Sequence, residues 1–399
     1  MARRRIDLRI GVNPAAAGFE CAAVATEAHR RIMRNYASPL MLGPDPSPEL
    51  LEMMMHMFTE EEAEIVRHLP PLRPRTARAV SAKAGRPVDE TVRILDSLAL
   101  KKRVILASGD PRKYTILPIV PGTFEMALMT PDLSTRTRWH AEFARLFEKI
   151  WDEGYIVRYT RSIKPGIRYL PVQGVSGSLL NACPSERMEE IIKPYSEFAV
   201  GMCQCRMAMN LVDRGCGRPL ENCVVMGPGA EKFIDRGLMR RTNAAEVLAI
   251  KRDAEEHGCV SWTMSDIGGV PRGNSSCSCC GCCCHAMRSI SQFNFPAMIS
   301  PPRFLPVLDR GKCVLCGACV TACPMGAWSI AGGSLVFDSA RCIGCGLCVV
   351  ACKKGAMTLS EAGNSPRNAP GWFRFFLDNA PGYLSNAFHV WVRRRLFQG

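Results

Sequence analysis

Cys313-Val-Leu-Cys316-Gly-Ala-Cys319-Val-Thr-Ala-Cys323-Pro324 and Cys342-Ile-Gly-Cys345-Gly-Leu-Cys348-Val-Val-Ala-Cys352-Lys353 are two copies of one pattern, the second starting 29 residues after the first (Cys313 to Cys342). In each copy, three cysteines spaced two residues apart are followed by a fourth after three more. A short turn between paired cysteines points both sulfurs inward, so such runs gather thiolates around a metal centre. Gly317 and Gly346 follow the second cysteine of each run, where a backbone without Cβ can fold tightly around a bound group. Trp328 to Ile330 and Leu335 to Phe337, joined through Gly332-Gly333, read as a hairpin between the copies. Zinc is the alternative occupant, because paired cysteines also bind it.

The duplicated pattern resembles that of the bacterial ferredoxins. The resemblance implies two [4Fe–4S] clusters with crossed ligands: Cys313, Cys316, Cys319 and Cys352 for one, Cys342, Cys345, Cys348 and Cys323 for the other. One departure is that Lys353-Lys354 follow Cys352, where ferredoxins usually have proline. Two cations beside the first cluster are expected to favour its reduced state or an acidic partner.

Working outward, the chain has 399 residues, 47% of them hydrophobic and 22% charged, which suits a globular protein of two or three domains. Of its 21 cysteines, only Cys21 precedes Cys183. A secreted disulfide scaffold would be small and would spread its cysteines throughout, so metal ligation in a reducing compartment is the better reading. No apolar run approaches the length of a membrane span. Met1-Ala-Arg-Arg-Arg is followed by Arg9, Asn13, Pro14 and Glu20, which interrupt any export-signal apolar core, so a cytoplasmic protein is expected. The formal charge of +14 omits thiolate-bound clusters, which are net anionic, and is weak support for nucleic-acid binding.

Residues 1–48 read as an arm with one short helix near 21–35. Thr59 and Glu62 form a capping box opening a helix that runs to Leu69. A second helix fits Thr76 to Ala84, stopped at Gly85. A third opens at Pro87 with Val88, Thr91, Leu95 and Leu98 on one face. Extended segments Arg103–Ala107 and Lys113–Leu117 flank the turn Ser108-Gly109-Asp110-Pro111. Three helices and a hairpin make residues 49–120 winged-helix-like. Arg86, Arg93, Lys101, Lys102, Arg103, Arg112 and Lys113 could meet phosphates, but the third helix offers no Asn or Gln to read bases, so protein contact is favoured. Residues 121–200 read as an α/β connection: an amphipathic helix over 136–150, strands at Tyr155–Tyr159 and Ile167–Val172, then a helix Ser185–Ile192.

Ten more cysteines mark a domain at 201–300: Cys203, Cys205, Cys216 and Cys223, then Cys277, Cys279, Cys280, Cys282, Cys283 and Cys284, the groups separated by a charged helix Ala244–His257. Ten sulfurs exceed the four that saturate one cubane or one zinc ion. They suit one or two further iron–sulfur clusters, with zinc as the alternative. Arg206 would hydrogen-bond cluster sulfurs or cap a helix. His285 reads as a packing residue, and Cys21, Cys183 and Cys259 as small apolar side chains.

The C-x-C-R segment at Cys203, the C-x-C-C-G-C-C-C run at Cys277 and the duplicated pattern together resemble ferredoxin-like 4Fe–4S binding proteins of anaerobic prokaryotes. The resemblance covers roughly residues 50–360 and is loosest before 180. It implies an α+β, multi-domain chain: winged-helix-like N-terminal domain, cysteine-rich middle domain, and a ferredoxin domain at 301–362. The remaining 363–399 mixes aromatics and arginines in Trp372–Phe376 and Val390–Phe397, a tail suited to docking on a protein or on an anionic membrane surface. The expected function is electron transfer, as a carrier or as a subunit serving oxidoreductase partners. A redox-sensing regulator that binds DNA and an enzyme whose upstream cluster binds substrate are the alternatives.

Overall fold

The computed structural model describes residues 18–160, 165–176, 187–264, 273–296 and 299–362, with scattered positions after 376. The arginine-rich start, Cys183, the expected helix opening at Ser185 and, but for Val392, the two aromatic–arginine stretches of the tail lie outside the described residues. The fold is α+β. Its contacts fall into two compact units, one within 165–206 and 216–362, the other within 18–160 and 207–215.

In the second of these units, the helix Glu60–Val66 opens as expected: the Thr59 amide donates to Glu62 and the Glu62 amide to the Thr59 hydroxyl. Helices Ala77–Ala84 and Val88–Asp96 follow, the first ending on Gly85 in the left-handed conformation. Thr91, Leu95 and Leu98 are buried, whereas Val88, in the first turn, is exposed and leaves the expected apolar face. Strands Leu106–Ser108 and Lys113–Thr115 pair antiparallel across the expected turn, and Arg75–Thr76 adds a third strand against Lys113–Thr115. The first strand begins at Leu106 and not at Arg103, because a π-helical stretch over Ser97–Lys102 ends in a left-handed Arg103. Helix Arg138–Asp152 buries Trp139, Phe143, Leu146, Phe147 and Ile150. Tyr155–Thr160, expected as a strand, is a helix; Trp151 meets Tyr155 edge-on at 6.3 Å. Packing along the helical spacing outweighs the β propensity of Tyr, Ile and Val there.

The other unit contains a four-stranded antiparallel sheet in the order Arg240–Thr242, Phe198–Met202, Glu221–Met226, Asn274–Ser276. Val247 of helix Ala244–Glu256 packs with Val200, Val224 and Met226 on one face of this sheet. A smaller sheet joins Ser278–Cys279, Val260–Thr263 and Arg168–Tyr169. The last strand is shorter than the Ile167–Val172 expected. At the C-terminal end, Phe304–Leu308 pairs with Met357–Glu361, and Trp328–Ala331 with Ser334–Phe337.

Candidate metal centres

Each copy of the cysteine pattern folds as a loop, a short helix (Ala318–Ala322 or Leu347–Ala351) and a strand. Gly317 and Gly346 precede these helices with φ of 72° and 76°. A side chain would be strained in that left-handed conformation, so both positions require glycine. The amides of Ala327 and Ala356, four residues after Cys323 and Cys352, donate to those sulfurs at 3.3 Å each. The duplication in sequence is therefore a duplication in hydrogen bonding.

Two cavities open between the copies. One is lined by Cys313, Cys316, Cys319 and Cys352, with Lys354 at its edge. The other is lined by Cys342, Cys345, Cys348 and Cys323, with Trp328. The loops thus bring together the crossed sets that the sequence pattern suggests. The donor chemistry fits an iron–sulfur cluster: four thiols in an otherwise largely apolar wall without a carboxylate. The buried indole N–H of Trp328 makes no well-formed hydrogen bond among the described residues. It lies by the Cys348 thiol, whose pKa burial pushes up to about 11 while the indole draws it down. An inorganic sulfide or cysteine sulfur in this cavity would satisfy that donor. Burial also raises Cys342 to about 12, so metal binding would have to displace firmly held protons.

The cavities differ in exposure. Cys316 is exposed, whereas Cys345 and Cys348 are buried. Cys345 also shares one apolar core with Cys279, Cys284, Met287 and Tyr169, and Cys323 packs against it. The upstream cysteines therefore adjoin the second cavity.

The two upstream groups are interleaved in space. Cys203 follows the strand Phe198–Met202, Cys205 opens the helix Gln204–Leu211, Cys223 lies in the strand Glu221–Met226, and Cys277 and Cys279 flank Ser278 in extended backbone. Cys277 and Cys223 stand 3.3 Å apart, and the Tyr169 hydroxyl lies 3.7 Å from Cys284. Cys205 neighbours Cys203 and Cys284, and Cys279 neighbours Cys284. Together these six thiols form one patch, with Cys205 and Cys277 half-buried and the other four buried. Cys216, Cys280, Cys282 and Cys283 make a separate group, with all four sulfurs within 4.8 Å of one another.

Arg206 is fully buried. It donates to the Pro219 carbonyl, to the Ser278 carbonyl at 2.7 Å and to the Cys259 sulfur at 3.5 Å. Burial opposes its charge, but the Cys203 and Cys280 thiols nearby outweigh that and raise its pKa. Cys259 is thus more than apolar filler: burial raises its pKa to about 12, and it receives an arginine N–H. Lys251 is another buried cation, donating to the Ser276 and Asn222 carbonyls at 3.0 and 3.4 Å. Burial lowers its pKa while Cys277 and Cys223 act in the opposite sense. Lys251 and Tyr169 escape a sequence reading, since nothing in their local sequence marks them as neighbours of thiols.

Among the seven cations of the three-helix region, Lys102 is buried against Glu62 at 2.8 Å and Arg103 donates to the Met129 carbonyl. Arg112 pairs with Asp96 and Arg86 with Glu90. No helix among the described residues is long and apolar enough to cross a membrane.

Residues 305–354 match the family model described as a 4Fe-4S dicluster domain, which supports an iron–sulfur, ferredoxin-like character for this segment. No characterised protein and no solved structure gives a significant match to the chain.

Proposed function

We propose that the chain is an electron-transfer protein in which electrons pass between a further iron–sulfur centre held by the upstream thiol patch and a partner by way of the two ferredoxin sites, as carrier or as a subunit of an oxidoreductase. An iron–sulfur cluster held in each cavity would supply reversible one-electron chemistry. The protein's part is to hold eight thiolates in two crossed sets, donate N–H groups to their sulfurs and keep water from the inner site. The observation that carries the reading is the asymmetry of the pair: the Cys342–Cys345–Cys348–Cys323 site shares a core with the upstream cysteines, whereas the other exposes Cys316. The order supported is upstream patch, inner site, outer site, partner. Beside the outer site, Val314, Leu315, Lys353 and Lys354 are exposed, a surface suited to an acidic protein.

The helices, the hairpin and the strand Arg75–Thr76 support a winged-helix-like reading of residues 49–120. Four of its seven candidate phosphate contacts are engaged within the unit, which favours protein contact over DNA.

Anaerobic iron and sulfide analysis with electron paramagnetic resonance tests the proposal. The expected result is at least about eight irons per chain, spin-coupled signals on reduction, and salt-sensitive reduction by an acidic redox protein. Redox-inert iron would overturn this reading, and sequence-specific DNA binding that switches on reduction would replace it with the redox-sensing regulator.

A further inference from the structure

The smaller upstream group has the dimensions of a single-ion site. Cys216 and Cys280 hold their sulfurs 3.8 Å apart, as do Cys282 and Cys283, and all four lie within 4.8 Å of one another. Four thiolates at about 2.3 Å from one tetrahedral zinc ion stand about 3.8 Å apart along each edge. A cubane gives each thiolate its own iron, so its four sulfurs spread around a larger body. The same chain provides the contrast: the eight ferredoxin-type cysteines form no group as tight and stand around cavities instead.

We propose that Cys216, Cys280, Cys282 and Cys283 bind one zinc ion, separate from every iron–sulfur centre of the chain. All four coordination positions come from the protein, which is the mark of a closed, structural zinc site. Four thiolates leave an excess negative charge around zinc, and a cation is in place to offset it. Arg218 donates to the Cys282 sulfur at 3.3 Å while its Nε is fixed by the His257 carbonyl at 2.9 Å. The ion would staple the loop carrying Cys216 to the turn Cys280–Cys283, two segments far apart in sequence. That turn is packed closely against the ferredoxin segment, since a Cβ on Gly281 would lie 1.9 Å from the Pro324 carbonyl oxygen, next to Cys323. The staple would therefore hold upstream backbone against a ligand run of the inner site. The proposal stands on this group alone and survives even if the electron-transfer reading fails.

The test uses the full chain, produced with both metals supplied and purified anaerobically. Elemental analysis and zinc-edge X-ray absorption should find one zinc per chain with four sulfurs at about 2.3 Å. Cys282→Ser, at an exposed thiol, should lower zinc retained after a chelator challenge at least tenfold and leave the iron content unchanged. Loss of iron in that variant, whether one atom or four, would overturn the proposal. So would a parent chain without zinc, or with zinc bound by fewer sulfurs. If the variant does not fold, the absorption spectrum of the parent decides alone.

Discussion

The ferredoxin segment and the cysteine-rich region upstream present thiols in opposite ways. In the ferredoxin segment, three cysteines of each lining set come from a single run of seven residues, and glycine-initiated helices keep the sulfurs apart around a cavity. Upstream, sulfurs from distant strands and loops meet each other directly, as in the pairs Cys223–Cys277 and Cys216–Cys280. Local sequence pre-forms the first kind of site. The second exists only once the tertiary fold has closed, and metal binding and folding free energy are most tightly linked there.

The largest effect should come from cutting the pre-formed sites one at a time. Cys345→Ala and Cys316→Ala should each remove about four irons per chain and abolish the spin coupling between reduced clusters. If the order of sites is right, they differ in consequence: Cys316→Ala should block reduction of the external partner while the inner centre still exchanges electrons with the upstream patch. Cys345→Ala should isolate the upstream patch. Equal consequences would remove the distinction between inner and outer sites.

That contrast also explains what could be read in advance. The eight ferredoxin-type cysteines are legible in local spacing, their crossing is what the resemblance to bacterial ferredoxins implies, and each run carries a short helix, Ala318–Ala322 or Leu347–Ala351. The division of the ten upstream cysteines is not legible in this way, because it depends on which segments become neighbours in the sheets. A partial signal is present in Cys277-x-Cys279, whose two-residue spacing puts both side chains of an extended segment on one face; Cys203 and Cys205 join the same patch where strand gives way to helix. The buried cations had no such signal. Lys251 reads as one more charge on a charged helix, and only its place over strands Glu221–Met226 and Asn274–Ser276 buries it. Tyr155–Thr160 misleads for a related reason, as packing against Trp151 sets its conformation.

Buried ionisable groups other than thiols are a feature of the upstream region, and one makes a pH prediction. Glu255 accepts the Gln173 amide at 2.9 Å, yet burial raises its pKa to about 7. A carboxyl that holds its proton more tightly when folded contributes no penalty at low pH and costs stability as pH rises towards and through that value. Glu255→Gln should therefore stabilise the chain at pH 8 by up to about 3 kcal/mol. The advantage should shrink towards pH 5.5 in denaturant titrations. An advantage that did not change with pH would locate the effect in packing.

Gly281→Ala probes the contact that joins the two regions. Its Cβ would collide with the Pro324 carbonyl, and overpacking of this kind costs about 1–3 kcal/mol. At Gly229 the nearest atom to an added Cβ is 3.8 Å away, so Gly229→Ala should fall within about 0.5 kcal/mol of the parent. Beyond stability, Gly281→Ala should slow electron exchange between the upstream patch and the inner site and leave the outer site's potential unchanged. A destabilised variant with the parent's internal exchange rate would separate the packing role of the turn from any role in the electron path.

The smallest effect distinguishes the two cavities by charge. Lys354 lines the outer cavity, and no lysine lines the inner one. A cluster becomes more negative on reduction, so a neighbouring cation stabilises the reduced state and raises the potential. Because Lys354 is exposed, water and salt weaken the interaction. Lys354→Gln should therefore lower the outer potential by only on the order of 20–40 mV at low ionic strength, with the shift fading as salt is added and the inner potential unmoved. Spectroelectrochemical titration of the full chain resolves the two couples. A larger, salt-insensitive shift would mean that Lys354 shapes the cavity itself, while a shift in the inner couple would exchange the identities of the two sites.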